Sequence, residues 1–340
     1  YDITFIVPVY NTAKYLAQCL DSIIQQDINK EIIVINDGST DDSANILTRY
    51  ANRFPFIRVI TQENRGVSHA RNKGIHLATG RYIYFIDSDD YLVGQLHFRE
   101  YIEAMKQHNA VILKGAAMWE KEEAIFAQAL PKVKATATAI YQDCIKCAHY
   151  MEVTSSLIYI DALVQHHFAV ELWTHIYCTN YLRTHNIVFD EKLTHAEDVL
   201  FVIQALTRQE CTIIETSELF YFYRWRHNSA VNLSNTSTTF CAFLDTKNAI
   251  LRYLLQHDFP PTIRANIALL GLICLTNAFH SYLSFDEETK QEVDEKLTLE
   301  LFGLLQLYEA LNIAQRNHHN PLFEEIKKVF RRKLVNPPNA

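Results

Sequence analysis

Glycine and proline are scarce in this sequence, which contains 8 of each among 340 residues. Flexible linkers and low-complexity segments are rich in these residues, so we expect neither. The dipeptide Gly-Lys does not occur, and this excludes a P-loop. No G-x-G-x-x-G follows a predicted strand and no G-x-S-x-G is present, which argues against dinucleotide binding and against a nucleophile elbow.

An excess of positive charge and a long hydrophobic run are also absent. The 32 basic and 39 acidic residues give a net charge of -7, which argues against nucleic acid as a partner. The longest apolar run in the second half, residues 267–275, is too short to cross a bilayer. The chain begins at Tyr1 without a signal peptide and a predicted strand follows almost at once. We therefore expect a trimmed N-terminus.

Cysteine is present but has no pairing pattern. The seven cysteines are an odd number with scattered spacing, which is typical of a reducing compartment such as the cytoplasm. Cys144 and Cys147 form a lone C-x-x-C pair, without the second pair or the regularly spaced histidines of a zinc site. The pattern favours buried helical thiols, and zinc or redox chemistry is the alternative.

Apolar runs and amphipathic segments alternate along the first 95 residues. Four predicted strands alternate with three predicted helices, and this order is typical of a parallel α/β sheet. The strands are predicted at residues 3–10, 31–36, 56–61 and 82–86. The last of them, Tyr82–Ile86, is continuously apolar or aromatic, which indicates a strand buried on both faces.

The second part of the chain is predicted to be mixed and then helical. The patterns predict a helix at 96–107, a strand near 110–114, a helix within 171–190 and a strand within 213–223. Thr194 and Glu197 fit a capping box that opens the next helix. We expect an α/β domain at 1–235, in two halves at 1–95 and 96–235. An all-helical module is expected at 236–340.

Three carboxylates follow the strand at 82–86 within four residues, in the segment Asp87-Ser88-Asp89-Asp90. Buried carboxylates need a partner or a metal, and ligands of open α/β sheets bind beyond the carboxyl ends of the strands. The segment therefore predicts a floor for a divalent metal and a phosphorylated ligand, formed by Asp87 and Asp89. The alternative is a solvated turn in which an aspartate caps the next helix.

Polar residues also follow the other three predicted strands. They are Tyr10 and Asn11 after the first, Asp37 after the second and Asn64 after the third. Parallel neighbouring strands would bring these residues and Arg71 to one edge of the sheet. An aromatic ring, a carboxylate, an arginine and a metal-binding pair suit a nucleoside diphosphate. The ring would cover the base, Asp37 could accept an imide N–H, and the metal would take the diphosphate.

Four short motifs occur in order over about ninety residues and resemble those of the family 2 glycosyltransferases, which have the GT-A fold. They are Phe5–Asn11 (FIVPVYN), Asn36–Ser43 (NDGSTDDS), Asn64–Asn72 (NRGVSHARN) and Asp87–Asp90 (DSDD). The stretches 173–201, with His195-Ala196-Glu197-Asp198, and 221–224 resemble the acceptor half and the closing strand. The resemblance implies a GT-A Rossmann-like, mostly parallel sheet flanked by helices, with a nucleotide-sugar half at 1–95 and an acceptor half at 96–235. It implies nothing beyond about residue 235.

The resemblance also implies roles for individual residues. Those that would hold the uridine are Pro8, Tyr10, Asp37, Asn64 and Arg71, and the predicted donor site is completed by Asn11, Asp87 and Ser88. Asp89 would ligate Mn²⁺ or Mg²⁺, and His227 is either a further ligand or an ordinary loop histidine. Asp198 would be the general base of an inverting displacement. Glu197 would act beside it or only cap the helix.

The resemblance thus predicts transfer of a sugar from a UDP-sugar to a hydroxyl of a glycan or lipid-linked acceptor, in the synthesis of a surface polysaccharide, a lipooligosaccharide or a glycoprotein glycan. The alternatives are a nucleotidyltransferase, which would need a glycine-rich loop after the first strand, and a non-catalytic UDP-binding scaffold, against which Asp89 and Asp198 argue. Basic residues at 327–333 flank apolar ones on a predicted amphipathic helix. They indicate either peripheral contact with the inner face of the cell membrane or a solvated end. Homo-oligomerisation is left open.

Overall fold

The fold comes from a computed structural model that describes residues 1–119, 151–165, 170–224 and 236–294. The described strands are β1 (Ile3–Val9), β2 (Lys30–Asp37), β3 (Ile57–Gln62), β4 (Tyr82–Phe85), β5 (Tyr91–Leu92), β6 (Ile112–Trp119), β7 (Met151–Ser155), β8 (His175–Cys178) and β9 (Thr212–Tyr223). The described helices are α1 (Ala13–Ile24), α2 (Ser43–Arg53), α3 (Val67–Leu77), α4 (Phe98–Gln107), α5 (Ser156–Gln165), α6 (Thr179–Thr184), α7 (Glu197–Thr207), α8 (Ser237–Gln256), α9 (Pro261–Ser284) and α10 (Glu287–Asp294).

The strands form one sheet in the order β3-β2-β1-β4-β8-β6-β9-β5, and β7 pairs with β9. The first four strands in this order are parallel to one another. All residues of β1 and β4 are buried, as the continuous apolar runs predicted. Helices α1, α2 and α3 connect the parallel strands, so the loops after β1, β2, β3 and β4 lie at one edge. The predicted α/β class with its sheet flanked by helices is confirmed.

The other half of the sheet has mixed strand directions. Strand β8 runs antiparallel to both β4 and β6, and β9 runs parallel to β6. The helix predicted within 171–190 is therefore wrong for His175–Cys178. A short 3₁₀ helix at Leu172–Thr174 precedes this strand, and only α6 is helical after it. The segment pairs on both sides in the interior of the sheet, and this tertiary pairing overrides a local pattern that is ambiguous in so short a run.

The starts of two helices are held differently from a simple local cap. Helix α1 begins directly after Thr12, whose side chain makes no cap, and the Ala13 amide donates to Asp41 Oδ2 at 2.9 Å. The capping box fails because α7 begins at Glu197, which makes this glutamate the first helical residue rather than the third. The preceding Ala196 has a φ of 52°, in the left-handed region, so the chain is not helical there.

The chain divides into two compact units. The first comprises the described residues of Tyr1–Tyr159, Val170–Lys192 and Gln204–Trp225, and it holds the sheet. The second comprises the described residues of Ile160–Ala169, Leu193–Ile203 and Arg226–Ala340, and in it α8 packs against α9. A domain boundary at residue 235 stays a prediction. Among the described helices none is long and apolar enough to cross a membrane.

Candidate active site

The acidic loop, by which we mean Asp87–Asp90, follows β4 at the edge where the parallel strands end. Arg71, which lies on α3, donates from Nη2 to Asp87 Oδ1 at 2.8 Å. The Arg71 side chain is only 6% exposed, and its guanidinium lies 5.3 Å from the centre of the Phe189 ring. The Asp87 side chain is 26% exposed, so it is the buried guanidinium that would be costly without its partner. The structure thus brings Arg71 and Asp87 together, as the strand order predicted.

Asp90 closes the acidic loop against strand β9. Its Oδ2 accepts a hydrogen bond from the Tyr221 hydroxyl at 2.8 Å, and its Oδ1 accepts one from the Arg224 amide at 2.7 Å. Burial raises the pKa of Asp90 well above its usual value, and the neighbouring charges of Asp89 and Asp87 raise it further. Burial and neighbouring like charges thus disfavour the ionised form of Asp90.

The same loop has the donor atoms that a hard divalent cation prefers. Mg²⁺ and Mn²⁺ bind carboxylate oxygens, and a cation beside repelling carboxylates relieves their repulsion. Asp89 is half-buried, unlike Asp90, and its carbonyl accepts a hydrogen bond from Arg224 Nη1 at 2.7 Å. Among the described residues, however, no three acidic, histidine or cysteine side chains converge on one metal position, so a divalent ion at Asp89 stays a prediction.

The loops after β1 and β2 hold each other through Asn11. This residue has a φ of 53°, a left-handed conformation that asparagine tolerates. Its Oδ1 accepts hydrogen bonds from the Thr40 amide at 2.8 Å and the Asp41 amide at 3.3 Å. The neighbouring Tyr10 is 49% exposed, and its ring is accessible to a base. Pro8 is buried within β1 opposite Ile35, so its contact with a nucleotide stays a prediction.

Asp37 supports the loop between β3 and α3. Its carboxylate accepts hydrogen bonds from Gln62 Nε2 at 2.8 Å, from the Arg65 amide at 2.9 Å and from the Gly66 amide at 2.8 Å. Asn64 Oδ1 also accepts from the Gly66 amide, at 3.2 Å. A carboxylate has about four lone-pair sites, so these three bonds leave Asp37 able to accept one further N–H.

Ser88 faces the protein interior. It is buried, and its Oγ accepts a hydrogen bond from the Thr12 hydroxyl at 2.8 Å, which ties the acidic loop to the start of α1. This contact assigns Ser88 a structural function. A direct contact between Ser88 and the donor stays a prediction.

The predicted acceptor-side carboxylates, Glu197 and Asp198, lie in the second compact unit, at the start of α7. Glu197 is buried, whereas Asp198 is half-buried and its Oδ1 accepts the adjacent Val199 amide at 3.0 Å. A carboxylate in the first turn of a helix is stabilised in its charged form by the helix dipole. The role of Asp198 as base stays a prediction. His227 lies outside the described residues.

Sequence reasoning missed three residues of this site. Tyr221 and Arg224 were assigned only to a closing strand, and Gln62 was not considered. Their contacts are long-range, because Tyr221 and Asp90 are more than a hundred positions apart in the sequence. Such contacts leave no local sequence pattern. The signal that could have found Arg224 is its position directly after a strand that ends in the aromatic run Phe220–Tyr223.

Comparison with known proteins places this geometry in a family. The family model described as glycosyl transferase family 2 matches residues 4–142. EpsJ of Bacillus subtilis, an uncharacterized glycosyltransferase by name, is 31% identical over 232 residues, which cover 68% of this chain and 63% of EpsJ, just under two thirds. EpsH of the same organism, also a glycosyltransferase by name, is 30% identical over 282 residues, which cover 79% of this chain and 76% of EpsH.

A solved structure has the same fold. Residues 1–349 of S. aureus TarS, crystallised with UDP, align with a TM-score of 0.65 at 20% identity. The alignment covers 96% of this chain and 92% of the TarS chain. At this level of identity the likeness demonstrates a common fold and carries no substrate from one protein to the other.

Proposed function

The chain belongs to glycosyltransferase family 2, and from that membership we propose that it transfers a sugar from a UDP-sugar to a hydroxyl of a glycan or lipid-linked acceptor, with inversion at the anomeric carbon. The observation that carries the proposal is the acidic loop, held by Arg71 at the edge where β1, β2, β3 and β4 end. This edge is where open α/β sheets bind nucleotides.

The donor would lie along the loops of the parallel strands. Tyr10 offers an exposed ring for stacking on the base. Asp37 has its carboxylate oriented by three hydrogen bonds from Gln62, Arg65 and Gly66, and it would accept the imide N–H of uracil. Asp87, held by Arg71, would face the ribose and diphosphate. The proposal thus assigns one contact to each part of UDP.

Asp89 would hold a divalent cation, Mn²⁺ or Mg²⁺. When bound, the ion neutralises the charge that develops on the departing diphosphate. Asp87 lies two residues before Asp89 in the same loop, and Arg224 holds the Asp89 carbonyl. His227 is proposed as a second ligand on sequence grounds alone.

Asp198 would take the proton from the acceptor hydroxyl as that oxygen attacks the anomeric carbon. Proton removal by a positioned carboxylate contributes about 10²–10⁴-fold in rate. The start of α7 favours the ionised form that a base requires. Glu197 is buried next to it, and we assign this residue a supporting role in the helix start.

The test is release of UDP from a panel of UDP-sugars with and without EDTA, for the wild type and for Asp89→Ala. We expect metal-dependent release in the wild type. We expect Asp89→Ala to lose roughly 10²–10³-fold in rate, as for other groups that stabilise transition-state charge. Asp27→Ala, which removes an exposed carboxylate of the same compact unit, is the matched control.

The outcomes separate the alternatives. Full activity of Asp89→Ala, or of the wild type in excess EDTA, would remove the metal from the mechanism. Pyrophosphate release from a nucleoside triphosphate and a sugar phosphate would identify a nucleotidyltransferase instead. Tight UDP binding without release from any UDP-sugar, with an acceptor mixture present, would leave a binding scaffold.

A further inference from the structure

Two residues at the end of strand β9 hold the acidic loop. They are Tyr221, on the strand, and Arg224, directly after it, and we call them the β9 clamp. The Tyr221 hydroxyl accepts a hydrogen bond from the Asp87 amide at 3.1 Å and donates to Asp90 Oδ2 at 2.8 Å. One oxygen atom therefore joins the two ends of the loop. Tyr221 is fully buried and its ring stacks on Trp173, with centres 4.6 Å apart, so the hydroxyl has a fixed position.

Arg224 holds the middle and the end of the same loop. Its Nη1 donates to the Asp89 carbonyl at 2.7 Å, and its own amide donates to Asp90 Oδ1 at 2.7 Å. The guanidinium is anchored from the other side, because Nη2 donates to Gln18 Oε1 at 2.7 Å and the group lies 4.6 Å from the centre of the Tyr15 ring. A planar, multiply bonded arginine of this kind restricts the atoms that it contacts.

The clamp acts on the main chain of Asp89 and leaves the carboxylate of this residue to other partners. The contacts bind two backbone atoms of the loop, the Asp87 amide and the Asp89 carbonyl, and they anchor its end through both carboxylate oxygens of Asp90. A ligand held within a fraction of an ångström of its working position needs no rearrangement when its ion binds. The network would thus preset the direction of the Asp89 side chain.

We propose that Tyr221 and Arg224 are positioning residues of the transfer reaction, which fix the acidic loop so that Asp89 meets the cation and the donor diphosphate in a preset geometry. The proposal rests on the proposed function, since it assigns the clamp an effect on the metal and diphosphate end of that site. Neither residue is assigned contact with the reacting atoms.

The decisive variant is Tyr221→Phe, which removes one oxygen atom and keeps the stacked ring. The matched control is Tyr50→Phe, because the Tyr50 hydroxyl also donates to an aspartate, Asp21, at 2.8 Å within the same compact unit. The second pair is Arg224→Gln with Arg99→Gln as control, since Arg99 is an exposed arginine that donates to Asp27 at 2.7 Å.

The measurements are Mn²⁺ affinity at saturating UDP by calorimetry, UDP affinity in EDTA, kcat with saturating donor, and the midpoint of thermal unfolding. We expect Mn²⁺ affinity and kcat to fall roughly 10- to 100-fold in both clamp variants, the range typical of residues that orient metal ligands. UDP affinity in EDTA should stay near wild type. The two controls should match the wild type in Mn²⁺ affinity.

Two results would contradict the positioning role of the β9 clamp. The first is that Tyr221→Phe has the same Mn²⁺ affinity and the same kcat as Tyr50→Phe, whatever its midpoint of thermal unfolding. The other is an equal loss of UDP affinity in EDTA, which would mean that the tyrosine only supports the fold of the whole site. If Arg224→Gln does not fold, Tyr221→Phe still decides. A wild type that binds UDP and Mn²⁺ but transfers nothing would remove the proposed function and leave the binding test of the clamp intact.

Discussion

The three aspartates of the acidic loop have different surroundings and therefore different roles. Asp87 is paired with Arg71, Asp90 is buried against Tyr221, and Asp89 lies between them, half-buried like Asp87. The sequence predicts a cation for the group as a whole, because buried carboxylates need a partner or a metal. It does not indicate the protein partners of Asp87 and Asp90, since Arg71 comes from α3 and Tyr221 from β9.

Asp37 leads to a prediction about the choice of base. The carboxylate already accepts three hydrogen bonds from its own loop, so it has one position for an N–H of the ligand. Uracil has a proton at its imide nitrogen, whereas cytosine has a lone pair there that would face the carboxylate. We expect UDP to bind more tightly than CDP by about 1–3 kcal/mol, the cost of an unmade buried hydrogen bond.

Calorimetry with both nucleotides measures this difference directly. Asp37→Asn provides the matched control, because an amide can turn either its oxygen or its NH₂ group towards the base and should reduce the preference. Equal affinities of the wild type for UDP and CDP would show that Asp37 serves only the loop after β3.

At the scale of elements, the sequence was most informative where burial is continuous. The apolar runs of β1, β2 and β4 are local signals, and their positions were predicted to within a few residues. Strand β8 was mistaken for a helix because its identity depends on pairing with β4 and β6. The cap of α1 could not be predicted for the same reason, because its acceptor, Asp41, lies in the loop after β2.

The cap supplied by Asp41 should contribute to stability. Its Oδ2 accepts the Ala13 amide at 2.9 Å and its Oδ1 accepts the Ser43 amide at 3.0 Å, so one carboxylate serves the starts of α1 and α2. Asp41→Ala should lower the free energy of unfolding by about 0.5–2 kcal/mol, as for other helix caps. Urea-induced unfolding measures this. Asp42→Ala, which removes the neighbouring charge but no bond to a backbone amide, should cost less.

The contribution of Asp41 should depend on pH. Burial alone would raise the pKa of Asp41, but hydrogen bonds from Ser43 and Ala13 outweigh it, and the net pKa is lowered. A lowered pKa in the folded state means that the stabilisation is present above the unfolded pKa and is lost as pH falls through the folded pKa. The difference between the wild type and Asp41→Ala should therefore be constant at neutral pH and shrink in acid. A difference that grows in acid would contradict the assignment.

At the scale of the whole molecule, the elements that would bind the donor all lie in the first compact unit. The loops after β1, β3 and β4 supply Tyr10, Asn64 and Asp89, and Asp37 is the last residue of β2, all within residues 1–159. The second unit takes two short segments from inside the α/β part of the chain in addition to the helices from α8 onwards. No composition change marks those segments, so the sequence could not have assigned them to it.

The basic segment near the C-terminus provides a test at the same scale, although residues 295–340 lie outside the described part of the chain. Lys327, Lys328, Arg331, Arg332 and Lys333 flank the apolar Ile326, Phe330 and Leu334. A basic amphipathic helix binds anionic lipid through its charges and its apolar face. We expect flotation with anionic but not neutral liposomes, lost on deletion of residues 326–340. Unchanged flotation after the deletion would leave a solvated basic end.

The division into two units gives the sharpest test of the predicted base. Asp198 lies in the second unit, whereas the donor residues lie in the first. Asp198→Asn keeps the shape and the place in the first turn of α7 but cannot take a proton. We expect kcat to fall about 10²–10⁴-fold, with UDP affinity unchanged because the donor residues are untouched.

Glu197→Gln is the matched variant for this test, since it makes the same chemical change one residue earlier in the same helix. Glu197 is buried and we assign it no proton transfer, so its variant should retain most of the rate. The measurement is kcat with saturating donor and acceptor, beside UDP affinity, for both variants. An inactive Glu197→Gln with a normal Asp198→Asn would reverse the two roles. Near wild-type rates in both would mean that the proton leaves by another group, and that the start of α7 is not the catalytic edge.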